Sequence, residues 1–287
     1  MELLLPTPLT EIYDALWQTR GIQVLVKRDD MIHPDVSGNK WRKLKYIIEY
    51  LQKQKIRRIA SYGGVYSNHL RALSVVCNSL DIELTCMIRG EDVENENLQF
   101  LRYQGAELIF LDRNLYKRIT QDGDSSLQSS FIGKDVFVIP EGGNHPLAWQ
   151  GCSDMVKEID IHFDYIFTAV GTGATLTGIS RALQENQQVL GISALKGDDR
   201  LSISIKEHTI PNFTLDFKYH FGGYARTTPE LLDFIHKFQQ RHNIALDYVY
   251  TGKMFFAMNK WIESGYFEAG TTIIALHTGG VSNASVV

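Results

Sequence analysis

The sequence predicts an α/β fold of two open parallel-sheet αβα domains, the smaller inserted in the larger, with a cleft between them. Three observations carry this expectation. Short apolar runs rich in Val, Ile and Phe alternate with longer amphipathic stretches, the pattern of parallel strands covered by helices on both faces. No linker rich in Pro, Gly or Ser divides the 287 residues. The middle of the chain still reads as its own set of strand–helix units. The expected division is residues 1–51 plus 148–287 for the larger domain and 52–147 for the smaller.

Taken in order, strands are expected at 23–27, 58–61, 84–88, 107–111, 136–139, 165–169, 189–194 and 272–275. Helices are expected at 40–54, 68–80, 96–103, 148–158, 177–185, 229–242 and 253–264. The first helix sets Trp41, Leu44, Ile48 and Leu51 on one face, and the second does the same with Leu70, Leu73, Val76, Cys77 and Leu80.

Composition narrows the function classes. Hydrophobic residues make up 44% and charged residues 22%, a soluble globular balance. A net charge of −4 argues against nucleic acid or an anionic membrane surface as partner. No apolar run is long enough to span a bilayer. Met1 to Pro6 lack the basic region and cleavage site of a secretory signal. Cys77, Cys86 and Cys152 are widely spaced with no CxxC pair, so neither a metal site nor a disulfide framework is expected. Each reads as a small buried hydrophobe in a reducing, cytoplasmic setting.

Three segments carry chemistry. The first, Val36-Ser37-Gly38-Asn39-Lys40-Trp41-Arg42-Lys43, puts two lysines three apart at the head of a helix, on one side of it. One would attack a carbonyl while the other holds an anion, and a neighbouring cation makes an amine a better nucleophile. That suits a Schiff-base lysine beside a phosphate, as pyridoxal phosphate requires. By itself the segment reads more readily as a basic helix start with solvated lysines. The second segment, Gly171-Thr172-Gly173-Ala174-Thr175, follows a buried strand and opens a helix, a phosphate cradle or a plain tight turn. Leu176 stands where a dinucleotide fingerprint needs glycine, and no Gly-Lys-Ser/Thr follows, so a monophosphate fits better than NAD or a P-loop nucleotide. The third segment, Gly63-Gly64-Val65-Tyr66-Ser67-Asn68-His69, clusters polar side chains at a strand's C-terminal end, where ligands of open α/β sheets collect. Ser67 or Asn68 also suits an N-cap, and His69 a structural role.

Together with Lys27-Arg28-Asp29-Asp30, Gly142-Gly143-Asn144, Tyr250-Thr251-Gly252-Lys253 and His277-Thr278-Gly279-Gly280, these segments resemble fold-type II pyridoxal-phosphate enzymes. That superfamily is the one of the tryptophan synthase β-subunit. The nearer resemblance is to the branch of D-cysteine desulfhydrase and 1-aminocyclopropane-1-carboxylate (ACC) deaminase.

The resemblance implies roles. Lys40 would form the imine with the cofactor. Lys43, with Gly171, Thr172, Gly173, Ala174 and Thr175, would hold its phosphate, and Asn68 its phenolic oxygen. Ser67, Asn68 and His69 would face the substrate, with Ser67 near its carboxylate or Cα. Tyr224 and Tyr250 would be the two active-site tyrosines. Gly142 to Asn144 would line the cleft or form an interdomain turn. Thr251 and Thr278 would lie on the cofactor where the ACC deaminase pattern has glutamate and leucine, matching the desulfhydrase pattern instead. A glutamate would favour a protonated ring, a strong electron sink; threonine does so less, which suffices when a good leaving group departs from Cβ.

The expected activity is therefore α,β-elimination and deamination of a small amino acid, D-cysteine foremost, by a cytoplasmic enzyme and, from the family, a homodimer. ACC deaminase is the enzymatic alternative. Tyr66 stands where the family usually has glutamine, which keeps open a pyridoxal-phosphate-binding protein without turnover. A protein binding another phosphorylated metabolite through residues 171–175 is the remaining alternative.

Overall fold

The computed structural model describes residues 2–36, 38–197, 199–209 and 212–280; Ser37 lies outside them. Its strands are β1 (Leu9–Ile12), β2 (Gln23–Lys27), β3 (Arg58–Gly64), β4 (Glu83–Arg89), β5 (Glu107–Leu111), β6 (Phe137–Ile139), β7 (Tyr165–Val170), β8 (Gln188–Ser193), β9 (Phe213–Asp216) and β10 (Thr272–Leu276). They build two sheets. One is six-stranded in the order β1-β2-β10-β7-β8-β9, the other four-stranded in the order β5-β4-β3-β6. Every pairing is parallel except β1 with β2, so the larger sheet carries one antiparallel edge that the sequence reading did not expect. The central strands β7 and β10 bury nearly every side chain, as strands covered on both faces do.

The helices are α1 (Ala15–Thr19), α2 (Asn39–Lys53), α3 (Asn68–Ser79), α4 (Glu96–Tyr103), α5 (Arg113–Thr120), α6 (Ser125–Ile132), α7 (Pro146–Lys157), α8 (Ala174–Ser180), α9 (Asp199–His208), α10 (Pro229–His242) and α11 (Thr251–Glu263). Most start on a side-chain cap: Ser67, Asn95, Asp112, Asp124 and Thr228 each accept a hydrogen bond from a first-turn N–H. Helix α8 replaces the helix expected at 177–185. It begins earlier because Gly173 adopts a left-handed φ of +87°, which turns the chain directly out of β7. It ends at Ser180, and beyond it the Gln187 side chain takes up the Gln184 N–H.

The apolar face of α2 (Leu44, Ile47, Ile48 and Leu51) shares its core with β3, β4 and α3. The helix thus follows β2 of the large sheet, beside its β1 edge, and packs on the small sheet. A division after residue 51 falls at the end of a helix that bridges the two sheets. Cys77, Cys86 and Cys152 are buried, and burial pushes the thiols up, Cys77 to about 12 and Cys152 to about 11. No helix among the described residues is long and apolar enough to cross a membrane.

Candidate active site

The C-terminal ends of β3 and β7 and the head of α2 converge on a cavity of about 590 Å³. At the head of α2 the chain turns on Gly38, whose φ is +63°. A Cβ there would lie 1.9 Å from the Thr278 carbonyl oxygen, so only glycine passes beneath the exit of β10. The Gly38 N–H donates to the Asp29 carbonyl at 2.9 Å, and Asn39 Nδ2 donates to Thr175 Oγ1 at 2.9 Å. Lys40 follows and lines the cavity. Its amine forms no hydrogen bond or ion pair among the described residues. Burial and the Lys43 charge lower its pKa to about 8, opposed by Asp247. Lys43 is buried and donates to the Gly142 carbonyl at 2.9 Å, with burial lowering its pKa too. The two lysines share the side that their spacing predicts.

Beyond β3, Gly63 lets Ser67 fold back, for a Cβ there would meet Ser67 Oγ at 2.5 Å. Ser67 Oγ accepts the Leu70 N–H and caps α3. Asn68 and His69 open that helix and line the cavity. The His69 tautomer follows from its neighbour. Ser61 Oγ donates its one hydrogen to the Ile139 carbonyl at 2.9 Å, so at 2.9 Å it accepts from His69 Nε2–H. Nδ1 is left as a buried acceptor without a partner. Burial, with Lys43 and Lys40, pushes the His69 pKa down to about 3, so the ring is neutral.

On the opposite wall, Gly171, Thr172 and Gly173 leave β7. The Thr172 hydroxyl is buried without a partner among the described residues, and a Cβ on Gly142 would press on its methyl at 2.8 Å. Gly142 and Thr172 thus meet across the cleft, and Asn144 Nδ2 donates to the Thr172 carbonyl at 3.4 Å. Tyr224 and Tyr250 stack edge to face, ring centroids 6.1 Å apart. Burial raises both phenols, that of Tyr250 well above its ordinary value. Lys253 holds the loop before Tyr224 by donating to the His220 and Gly223 carbonyls at 2.9 and 2.8 Å.

The structure therefore gathers Lys40, Lys43, Ser67, Asn68, His69, Gly171, Thr172, Gly173, Thr175, Tyr224, Tyr250 and Thr278 around one cavity. Ala174 and Thr251 stand behind it, both buried. The Thr251 hydroxyl donates to Asp247 Oδ2 at 2.6 Å. Asp247 is the residue the sequence reading missed. It is buried, and it caps the head of α11 by accepting from the Val249, Tyr250 and Thr251 N–H groups. Its charge acts on Lys40 and on both tyrosines. An aspartate just ahead of a helix start was the available signal. Glu141 and Arg89, also on the wall, were missed as well.

The residues fit pyridoxal phosphate. An unpaired amine with a lowered pKa suits an imine. Unpartnered polar atoms on Asn39, Thr172 and His69, and the close-packed glycines 142 and 173, leave a polar cradle that side chains do not fill. The profile of the family described as pyridoxal-phosphate-dependent enzyme matches residues 2–279. The chain belongs to that family.

As a pyridoxal-phosphate-dependent enzyme it has similar relatives over most of its length. One is a Pyrococcus horikoshii protein provisionally named ACC deaminase, 28% identical, covering 91% of this chain and 86% of the relative. Another is the mitochondrial bifunctional D-cysteine desulfhydrase/ACC deaminase of Arabidopsis thaliana, 28% identical over 96% of this chain and 77% of that one. Among solved structures, an ACC deaminase homologue superposes with a TM-score of 0.83 at 28% identity, covering 98% of this chain and 91% of the other. The pyridoxal-phosphate enzyme fold is type II.

Proposed function

We propose that the protein is a lyase that removes the Cα proton of a small amino acid, releases a group from Cβ, and yields a 2-oxo acid and ammonia. D-Cysteine is the leading substrate; with water it gives pyruvate, sulfide and ammonia. Support for the lyase chemistry comes above all from the Lys40 amine, unpaired among the described residues and with a pKa of about 8 beside a polar cradle. Bound pyridoxal phosphate supplies the electron sink that makes the Cα proton acidic.

This chain's residues then divide the work. The Lys40 amine is nucleophile first and base second, since its lowered pKa leaves much of it neutral near pH 8. Lys43 and Thr172 hold the phosphate side, and Asn68 the phenolic side. The Ser67 hydroxyl, which accepts the Leu70 N–H within α3, keeps its hydrogen for the substrate carboxylate. Tyr224 and Tyr250, with raised pKa values, are proton donors to the departing group rather than bases. Thr278 faces the cavity and Thr251 is tied to Asp247, so no glutamate stands at either position.

ACC deaminase is the second reading, favoured by the relatives that carry that name. The test is an absorbance scan of purified protein followed by D-cysteine and, separately, ACC. Pyruvate supports the first reading and 2-oxobutanoate the second. A cofactor band with neither product, across D- and L-amino acids, would leave a binding protein and sink both. We further propose a cytoplasmic homodimer, with residues 52–147 as the smaller unit and α2 bridging to it.

A further inference from the structure

Three cations line the cavity: Lys40, Lys43 and Arg89. The first two have work on the cofactor under the reading above. Arg89 is left over. It is the last residue of β4, in register with Gly64 of β3, so it stands beside the loop that carries Ser67. Its Nη2 lies 4.0 Å from where a Cβ on Gly64 would be, so the missing side chain leaves the guanidinium open over the loop. The guanidinium carbon sits 5.3 Å from the Tyr116 ring centroid, an interaction that orients the group without neutralising it. Among the described residues Arg89 forms no hydrogen bond and no ion pair, not even with Glu141 on the same wall. Its charge nevertheless reaches the Tyr224 phenol.

The substrate's own carboxylate already has a donor in Ser67 under the reading above. The Arg89 guanidinium, exposed on the cavity lining, oriented by Tyr116 and without a counter-charge among the described residues, is therefore available to a second anion. We propose that Arg89 is a specificity-determining residue that binds an anionic group on the substrate's side chain, so that the enzyme prefers acidic amino acids to neutral ones. This rests on the amino-acid lyase reading and sharpens it. D-Cysteine, whose thiol is mostly neutral at pH 7, becomes a lesser member of a class whose best substrates carry an acid at or beyond Cβ.

The test uses the holoenzyme and an isosteric pair differing in charge alone, aspartate and asparagine, each as D and L. Binding is followed by titration calorimetry. For the enantiomer that binds, aspartate should bind about tenfold more tightly than asparagine, the margin of a charge-assisted over a neutral hydrogen bond. Arg89→Gln should bring the two to within about twofold, and Arg89→Lys should retain part of the preference. Equal binding of the pair to the unaltered enzyme, or no binding of either, overturns the proposal. So does an Arg89→Gln variant that weakens both equally, since Arg89 would then hold the common carboxylate. The two readings fail separately. Turnover of D-cysteine or ACC without an aspartate preference sinks only this proposal, and an aspartate preference without turnover of any amino acid sinks only the lyase.

Discussion

Arg42 and Lys40 leave the same helix two residues apart, yet among the described residues Arg42 is hydrogen-bonded to two carboxylates and Lys40 to none. Arg42 is buried and forks onto Asp29 at 2.9 and 3.0 Å and onto both oxygens of Glu158. Lys27, also buried, donates to Glu158 at 2.7 Å and to the Thr7 carbonyl at 2.8 Å, and the Thr7 hydroxyl donates to Asp29. Burial alone would lower the Arg42 pKa; hydrogen bonds to Glu158 and Asp29 outweigh it and raise it. Glu158 is held below its ordinary value, because the hydrogen bonds from Arg42 and Lys27 exceed the cost of burial. At Lys40 no carboxylate hydrogen bond offsets burial and the Lys43 charge, the Asp247 charge opposes them only in part, and the pKa falls to about 8. One burial environment thus has two uses. Where counter-charges are supplied it fixes the backbone, and through the Asp29 carbonyl it fixes Gly38 and the turn into Lys40. Where they are withheld it leaves a nucleophile.

The largest effect should come from removing the withheld side. Lys40→Ala should lower turnover by on the order of 10³-fold or more, as loss of a covalent nucleophile does, and abolish borohydride trapping of the cofactor. In the unaltered chain, the rate of pyridoxal phosphate capture should follow the neutral amine. It should rise from pH 6, inflect near 8 and level off above. An ordinary lysine would keep climbing to about 10.4, and such a curve would break the comparison. Next comes the saturated side. Asp29→Ala strands Arg42 beside one remaining carboxylate, so urea unfolding should show a loss of about 3–5 kcal/mol. A loss under about 1 kcal/mol, the range of an exposed pair, would mean that water replaces the carboxylate.

The sequence made the two lysines legible because i,i+3 spacing decides which side chains share a helix face. Glycine loops after apolar strands located the cavity for a similar reason, since both signals are local. The ion cluster was not legible, because Thr7, Lys27, Asp29, Arg42 and Glu158 meet only after the chain has folded across 151 positions. Nor was the antiparallel edge, as β1 is four residues long with no clean alternation of burial. Asp247 shows the intermediate case. Its capping of α11 is local and readable, whereas its nearness to Asn68 is not: both lie within 3.6 Å of where a Gly280 Cβ would be.

A smaller effect tests whether His69 belongs to the withheld side. Its folded pKa of about 3 lies below the unfolded value of about 6.5. The unfolded chain therefore binds the proton first as pH falls. The stability present above pH 6.5 is lost progressively down to about 3. By pH 5 the loss from this group is about 2 kcal/mol. His69→Gln, which cannot titrate, should flatten the fall in urea midpoint between pH 7 and 5. If wild type and variant fall in parallel, the ring is not buried neutral.

The smallest effect has an informative sign. Thr172 buries a hydroxyl that no group among the described residues satisfies. Thr172→Val keeps the shape and removes the unmet group, so the cofactor-free protein should gain about 1 kcal/mol in stability. On the proposed reading the same change deletes a donor to the phosphate, so pyridoxal phosphate affinity should fall by roughly tenfold, about 1.4 kcal/mol. Unfolding of the cofactor-free protein and titration with pyridoxal phosphate read the two separately. Opposite signs mean that the hydroxyl is held unsatisfied for a ligand. Equal losses in both would make Thr172 part of the scaffold, and the contrast with Arg42 would then stop at Lys40.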